Sequence, residues 1–174
     1  MKNMLLKQTR LTHIPHFGLV TLALSLFLGF FGLTTAGLAQ NSSPNPGLPV
    51  IELKTGIYRL QVEVAATPQA RQTGLMYRTV MAQNAGMLFI FEQKAGHCFW
   101  MSNTKIPLSI AFIGDDSKIV NIEEMQADTT NNHCPKAPIR FALEMNQKWF
   151  AERALGPGKL IQGLPKNWHQ QPTP

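Results

Sequence analysis

Tyr58, Leu60, Val62 and Val64 alternate with Arg59, Gln61 and Glu63, and this period of two is the strongest constraint the chain places on its fold. Successive side chains on an extended backbone point to opposite faces, so Ile57–Ala65 is predicted to be a strand with one buried and one solvated face. A helix would scatter the same apolar residues around its surface. Other short β-rich runs follow. Gly86–Phe91 (GMLFIF) and Cys98–Met101 read as buried strands around a turn at Glu92–Gly96. Leu108–Ile113 and Lys118–Met125 flank Gly114-Asp115-Asp116-Ser117, which is turn chemistry and predicts a hairpin. Pro138–Glu144 alternates again and should bury Ile139, Phe141 and Leu143.

Helical signals are few. Thr67-Pro68 pairs a capping side chain with a ring suited to the first helical position, so Gln69–Leu75 is predicted to be a short helix. Asn146 is expected to cap a second one that presents Trp149 and Phe150 and ends near Gly156-Pro157-Gly158, before a last strand at Lys159–Gln162. Many short antiparallel strands with a few short helices define an α+β, mainly antiparallel β domain, either a small barrel-like sheet or a sandwich.

The ends are of another kind. Met1–His16 contains Lys2, Lys7 and Arg10 and no acid, and Phe17–Leu33 then runs seventeen residues without a charge. This is the order of a secretion signal. Small residues follow at Thr34–Ala39, so cleavage is expected after Ala39, with Ala36 as second choice. The rival is an uncleaved inner-membrane anchor facing the periplasm, since seventeen apolar residues approach the roughly 20 that span a bilayer. Under either reading the remainder is exported to the periplasm, because the early positive charge precedes the apolar run. A membrane contact, if any, is made only by this N-terminal segment. Gln40–Pro49 (QNSSPNPGLP) reads as a flexible leader and Pro165–Pro174 as a tail. Between them Val50–Leu164 forms one expected domain of 115 residues.

The formal charge of +6 suggests nucleic acid until the three signal cations are set aside, which leaves 13 basic against 10 acidic residues. The remaining Lys and Arg are scattered singly, so no nucleic-acid partner is expected.

Several spaced motifs occur in order: Arg71-Gln72-Thr73-Gly74-Leu75-Met76-Tyr77-Arg78, Gly86-Met87-Leu88-Phe89, and Phe99-Trp100-Met101-Ser102-Asn103-Thr104-Lys105-Ile106-Pro107-Leu108. Ala111-Phe112-Ile113, Ile119-Val120, Ala142-Leu143-Glu144 and Gly156-Pro157-Gly158 continue the series. Together they resemble the family known as domain of unknown function 192. The resemblance implies a compact, mostly antiparallel β domain of bacteria and archaea with no assigned activity. One departure is Ser109, where many members carry Asp after the Pro-Leu pair. It weakens any role resting on a carboxylate there. The two cysteines look like a trait of a subgroup.

Cys98 and Cys134 are the only cysteines, and in an oxidising compartment an even count points first to a disulfide. Closing such a loop contributes roughly 3.5 to 4 kcal/mol in the chain-entropy model. His97-Cys98 and His133-Cys134 could instead form a soft metal site, and a reactive thiol pair is the third reading. Strand geometry opposes the metal, because adjacent residues on a strand face apart. Met76, Met81, Met87, Met101, Met125 and Met145 invite a copper reading, but Met inside apolar runs is a gap filler and core packing is favoured. No metal and no cofactor is expected.

Trp100, Asn103 and Thr104 place an aromatic face beside amide and hydroxyl groups, which suits a pocket for a small polar ligand and equally suits core and turn packing. Arg71 and Arg78 bracket the Gly-Leu-Met turn, and Glu144 ends an otherwise buried strand. An Arg–Glu pair could anchor the short helix to the sheet, or the arginines could clamp a carboxylate or phosphate. No Gly-x-Ser-x-Gly elbow, His-Glu-x-x-His or phosphate loop is present. The leading expectation is a binding module for a small polar or anionic ligand such as a sugar, using Arg71, Arg78, Trp100, Asn103, Thr104 and Glu144. The alternatives are a cell-envelope enzyme using Glu144 and an arginine, and a structural or interaction domain without a pocket.

Overall fold

A computed structural model describes residue 45 and residues 47–166. The expected signal at residues 1–39, most of the leader and most of the tail lie outside the described residues. The rest is organised on one six-stranded sheet. The strands are β1 (Val50–Thr55), β2 (Tyr58–Ala65), β3 (Ala85–Ala95), β4 (Leu108–Ile113), β5 (Ile119–Met125) and β6 (Ile139–Asn146). They lie in the order β1-β2-β3-β6-β4-β5. β2 and β3 run parallel, and every other neighbouring pair is antiparallel. The parallel step needs a crossover, and the short helix α1 (Pro68–Thr73) lies within it.

The fold class is as the sequence reads it, α+β and mainly antiparallel, but the sheet is neither a second-layer sandwich nor a closed barrel. The expected last strand, Lys159–Gln162, is reduced to two isolated bridges. It ties together the two edges of the sheet at one end: Gln162 exchanges backbone hydrogen bonds with Lys54 of β1, and Ile119 of β5 donates to Lys159. A chain stretched between two edges cannot run a ladder along either.

Alternation along the central strands sends side chains to both faces, and both are covered. Leu60, Val62, Leu88, Ile90, Phe141 and Leu143 face a core completed by Trp149, Phe150 and Ile161. Met87, Phe89, Ile110, Phe112 and Ala142 face the other, completed by α1, Leu75 and Met101. Ile139, Phe141 and Leu143 are buried as expected, and Ala142 and Glu144 are buried as well because α1 and the loop after β3 cover the second face.

Other expectations are corrected. β3 continues through Glu92–Lys94 as an exposed extension and rejoins β6 at Ala95 and Ile139 past an irregularity, so the predicted turn there is absent. Cys98–Met101 is no strand; it makes one bridge, Phe99 to His133. The alternation survives: Phe99 is half-buried and Met101 buried, while Cys98 and Trp100 are exposed. Asn146 does not cap a helix, because its amide donates to the carbonyls of Met81 and Ala82, and only a single 3-10 turn forms at Ala151–Arg153. The hairpin strand β1 escapes the sequence reading. Gly56, at φ 57, supplies the positive φ required by the two-residue turn between Thr55 and Tyr58. Where the leader is described it is anchored: the Asn45 amide donates to the Gly74 carbonyl past the end of α1.

Candidate functional site

α1 forms where the sequence places it. The Thr67 hydroxyl accepts from the Ala70 N–H, Pro68 fills the first turn, and Gly74, at φ 48, ends the helix. Arg71 then fixes it to the sheet. Its Nη1 donates to the carbonyls of Ala66 and Ile90, and the guanidinium stacks on Phe91 at 5.4 Å. The second wall is the loop after β3. The Cys98–Cys134 disulfide joins this loop to the one after β5, beside the paired backbone bonds of Phe99 and His133. A Cα–Cα distance of 4.3 Å is the spacing of a non-hydrogen-bonded antiparallel pair. The two walls are linked where the Tyr77 N–H donates to the Asn103 carbonyl at 2.7 Å, with both residues at positive φ.

Between these walls lies a cleft of about 220 Å3. Arg71–Met76 form one side, Cys98, Phe99, Trp100 and Thr104 the other, and Phe89, Phe91 and Glu144 the sheet below. Glu144 is 4% exposed, and Met87 and Ile110 flank it in register on the neighbouring strands. Among the described residues its carboxyl has no hydrogen-bond or ionic partner. Burial therefore pushes its pKa from 4.5 up to about 8, and near neutral pH it is a neutral acid. Trp100 is 56% exposed and lines the cleft.

Four of the six sequence candidates, Arg71, Trp100, Thr104 and Glu144, come together in this cleft. Asn103 does not line it; its backbone joins the walls. Arg78 is also elsewhere, buried at 1% exposure with Nη2 2.7 Å from Glu63. The expected pairing of an arginine with Glu144 is not formed among the described residues; Arg78 lies against Glu63 instead. Phe89 and Phe91 were missed as lining residues, although their alternation with Leu88 and Ile90 carried the signal. Ser109 faces the same side as its register partner Met145, away from the cleft, and there donates to Glu124 and accepts from the Lys148 N–H. A carboxylate at this position would not enter the cleft.

The sulfurs of Cys98 and Cys134 are consumed by their bond, so neither the thiolate metal site nor the reactive thiol pair is formed. His97 stacks on Phe91, and His133 Nδ1 lies 3.9 Å from Glu123. Of the six methionines considered for copper, five are buried in the core, and Met76 borders the cleft.

Fold and cleft define a small, mainly antiparallel β domain in which one short helix walls a cleft whose largely apolar floor carries a single carboxyl. The chain belongs to the domain of unknown function 192 family, described as uncharacterised, whose model matches residues 50–163. A crystal structure of a protein of unknown function from Novosphingobium aromaticivorans DSM 12444 is similar, with 30% identity and a TM-score of 0.66. The match covers 68% of this chain and 89% of that one. A protein from Sinorhizobium meliloti 1021, provisionally described as a transcription regulator, shares 33% identity at a TM-score of 0.60, over 64% of this chain and 89% of that one. No match was found among curated proteins.

Proposed function

We propose that this chain is an exported binding module that holds a small polar ligand in the cleft between α1 and the disulfide-linked loop. The observation that carries the reading is Glu144, a buried carboxyl that borders an open cleft and has no partner among the described residues. Burying such a group is costly unless it is used. Trp100 supplies a stacking face, Thr104 a hydroxyl and Arg71 a positive charge, the mixture of apolar walls and few convergent polar groups that ligand sites use. Export is supported by the charge order of the first 33 residues and agrees with the disulfide. No helix among the described residues is long and apolar enough to cross a membrane.

An envelope enzyme is the second reading, and a carboxyl with a pKa of about 8 is suited to general acid–base work. Binding is favoured over hydrolysis because Glu144 is the one carboxylate in the lining, whereas glycoside hydrolysis ordinarily uses two. Transcriptional regulation is not carried over from the Sinorhizobium protein, since the cleft holds a single cation and the basic residues of this chain are scattered. A thermal-shift screen of small polar compounds tests the reading. Compounds that raise the melting temperature of the wild type and not of Trp100→Ala support it; a blank screen overturns it.

A further inference from the structure

Resting on the reading that the cleft takes a small ligand, we propose that this ligand carries an ammonium group, as the amino end of a small amino-acid-like zwitterion. Glu144 is 4% exposed and borders the cleft, and its register neighbours Met87 and Ile110 offer it nothing polar. The other charges on this face have partners of their own, and Arg140, four residues before Glu144 on β6, donates to the Phe91 carbonyl. Glu63 of β2 holds Arg78, and Glu123 of β5 faces His133. Arg71 of α1 is the one cation of the lining, and its Nη1 is held by two backbone carbonyls. Among the described residues, no cation is left to pair with an ionised Glu144.

The walls suit the same charge. Phe89, Phe99 and Trp100 border the cleft beside Phe91, whose ring is already covered by Arg71 and His97, and aromatic rings attract a cation. Thr104, whose hydroxyl makes no hydrogen bond among the described residues, adds an acceptor for an ammonium N–H. A neutral sugar would use the apolar wall and leave Glu144 protonated. A simple anion would be met by Arg71 alone and would likewise keep Glu144 protonated. A zwitterion directs its amino group to Glu144 and its carboxylate to Arg71. When it binds, the O–H bond of the Glu144 acid breaks and its proton passes to the buffer, while the ligand arrives already protonated on nitrogen.

Isothermal titration of the full chain with alanine, ethylammonium, propionate and glucose, each in two buffers of different ionisation enthalpy, tests this. Alanine should bind with release of roughly one proton near neutral pH, and the release should vanish above about pH 8, where Glu144 is already ionised. Ethylammonium should bind more weakly with the same release. Glu144→Gln should abolish the release and weaken alanine roughly tenfold or more. Alanine binding without proton release in the wild type overturns the role of Glu144. Glucose or propionate binding in a Trp100-dependent way, with alanine and ethylammonium silent, overturns the ammonium and leaves the small-ligand reading standing. Silence from all four overturns the inference, and only a blank in the broad screen removes the reading beneath it.

Discussion

Arg78 lies 2.7 Å from Glu63, and with its guanidinium so placed, Glu144 stands two strands away on the same face of the sheet without a cation of its own. The two acids therefore stand in opposite conditions: half-buried Glu63 is paired with Arg78, and buried Glu144 borders the cleft with no cation beside it among the described residues.

The Arg78–Glu63 pair is close but its N–H groups are not aligned for hydrogen bonding, so the nitrogens of Arg78 remain unsatisfied. Arg78→Met should be neutral or stabilising, because a desolvated cation is replaced by apolar volume. Glu63→Gln should cost roughly 3 kcal/mol or more, because it strands that cation. Urea unfolding of both variants checks this; equal losses would show that Arg78 is stabilising in its own right.

The pH dependence of stability should carry the signature of Glu144. Its pKa is about 8 in the fold against 4.5 for the ordinary group, so the folded chain keeps a proton that the unfolded chain loses. Stability is full below about pH 4.5 and is lost as pH rises through about 8. Glu144→Gln removes this slope, and above pH 8 it should be more stable than the wild type by on the order of a few kcal/mol. Denaturant melts across pH read both curves. Parallel curves would mean that the carboxyl is not desolvated.

The disulfide closes a loop of 36 residues, and replacing both Cys98 and Cys134 by Ser should cost about 4 kcal/mol. The loss should be accompanied by faster amide exchange at Phe99 and Met101, whose N–H groups bond the facing loop at His133 and Thr129. Unchanged exchange there would show that the wall is held without the crosslink.

Gly86 lets β3 approach β6. A Cβ at this position would strike the Glu144 carbonyl and the Met145 sulfur. Gly86→Ala should destabilise by roughly 2 to 3 kcal/mol, and since Glu144 is the residue displaced, it should also weaken ligand binding. Thermal melts and a binding assay test the pair of effects; a silent substitution would contradict the packing.

Where one physical rule dominated, the sequence was legible. Alternation located β2 and β6, turn chemistry located the β4–β5 hairpin, and Thr67-Pro68 located α1. β1 was missed because Val50–Thr55 is an edge strand with only Leu53 and Thr55 buried, so its pattern is faint. Phe99 and Trp100 show why the site was half legible. The residue types were visible, but that Phe99 and Trp100 both line a cleft depends on Arg71–Met76 forming its opposite side. Arg71 and Arg78 were equivalent in the sequence, and only the crossover between β2 and β3 puts one on the cleft wall and the other against Glu63. No local pattern encodes that choice.

The account is tested most directly by NMR of the Trp100 indole and Glu144 carboxyl signals as compounds from the polar-ligand screen are added. It predicts that a binding compound shifts both signals together with one saturation curve, and that Trp100→Ala, an exposed substitution of little consequence for stability, removes the response at Glu144. If the compounds that stabilise the protein leave both signals in place, the cleft is not the binding site.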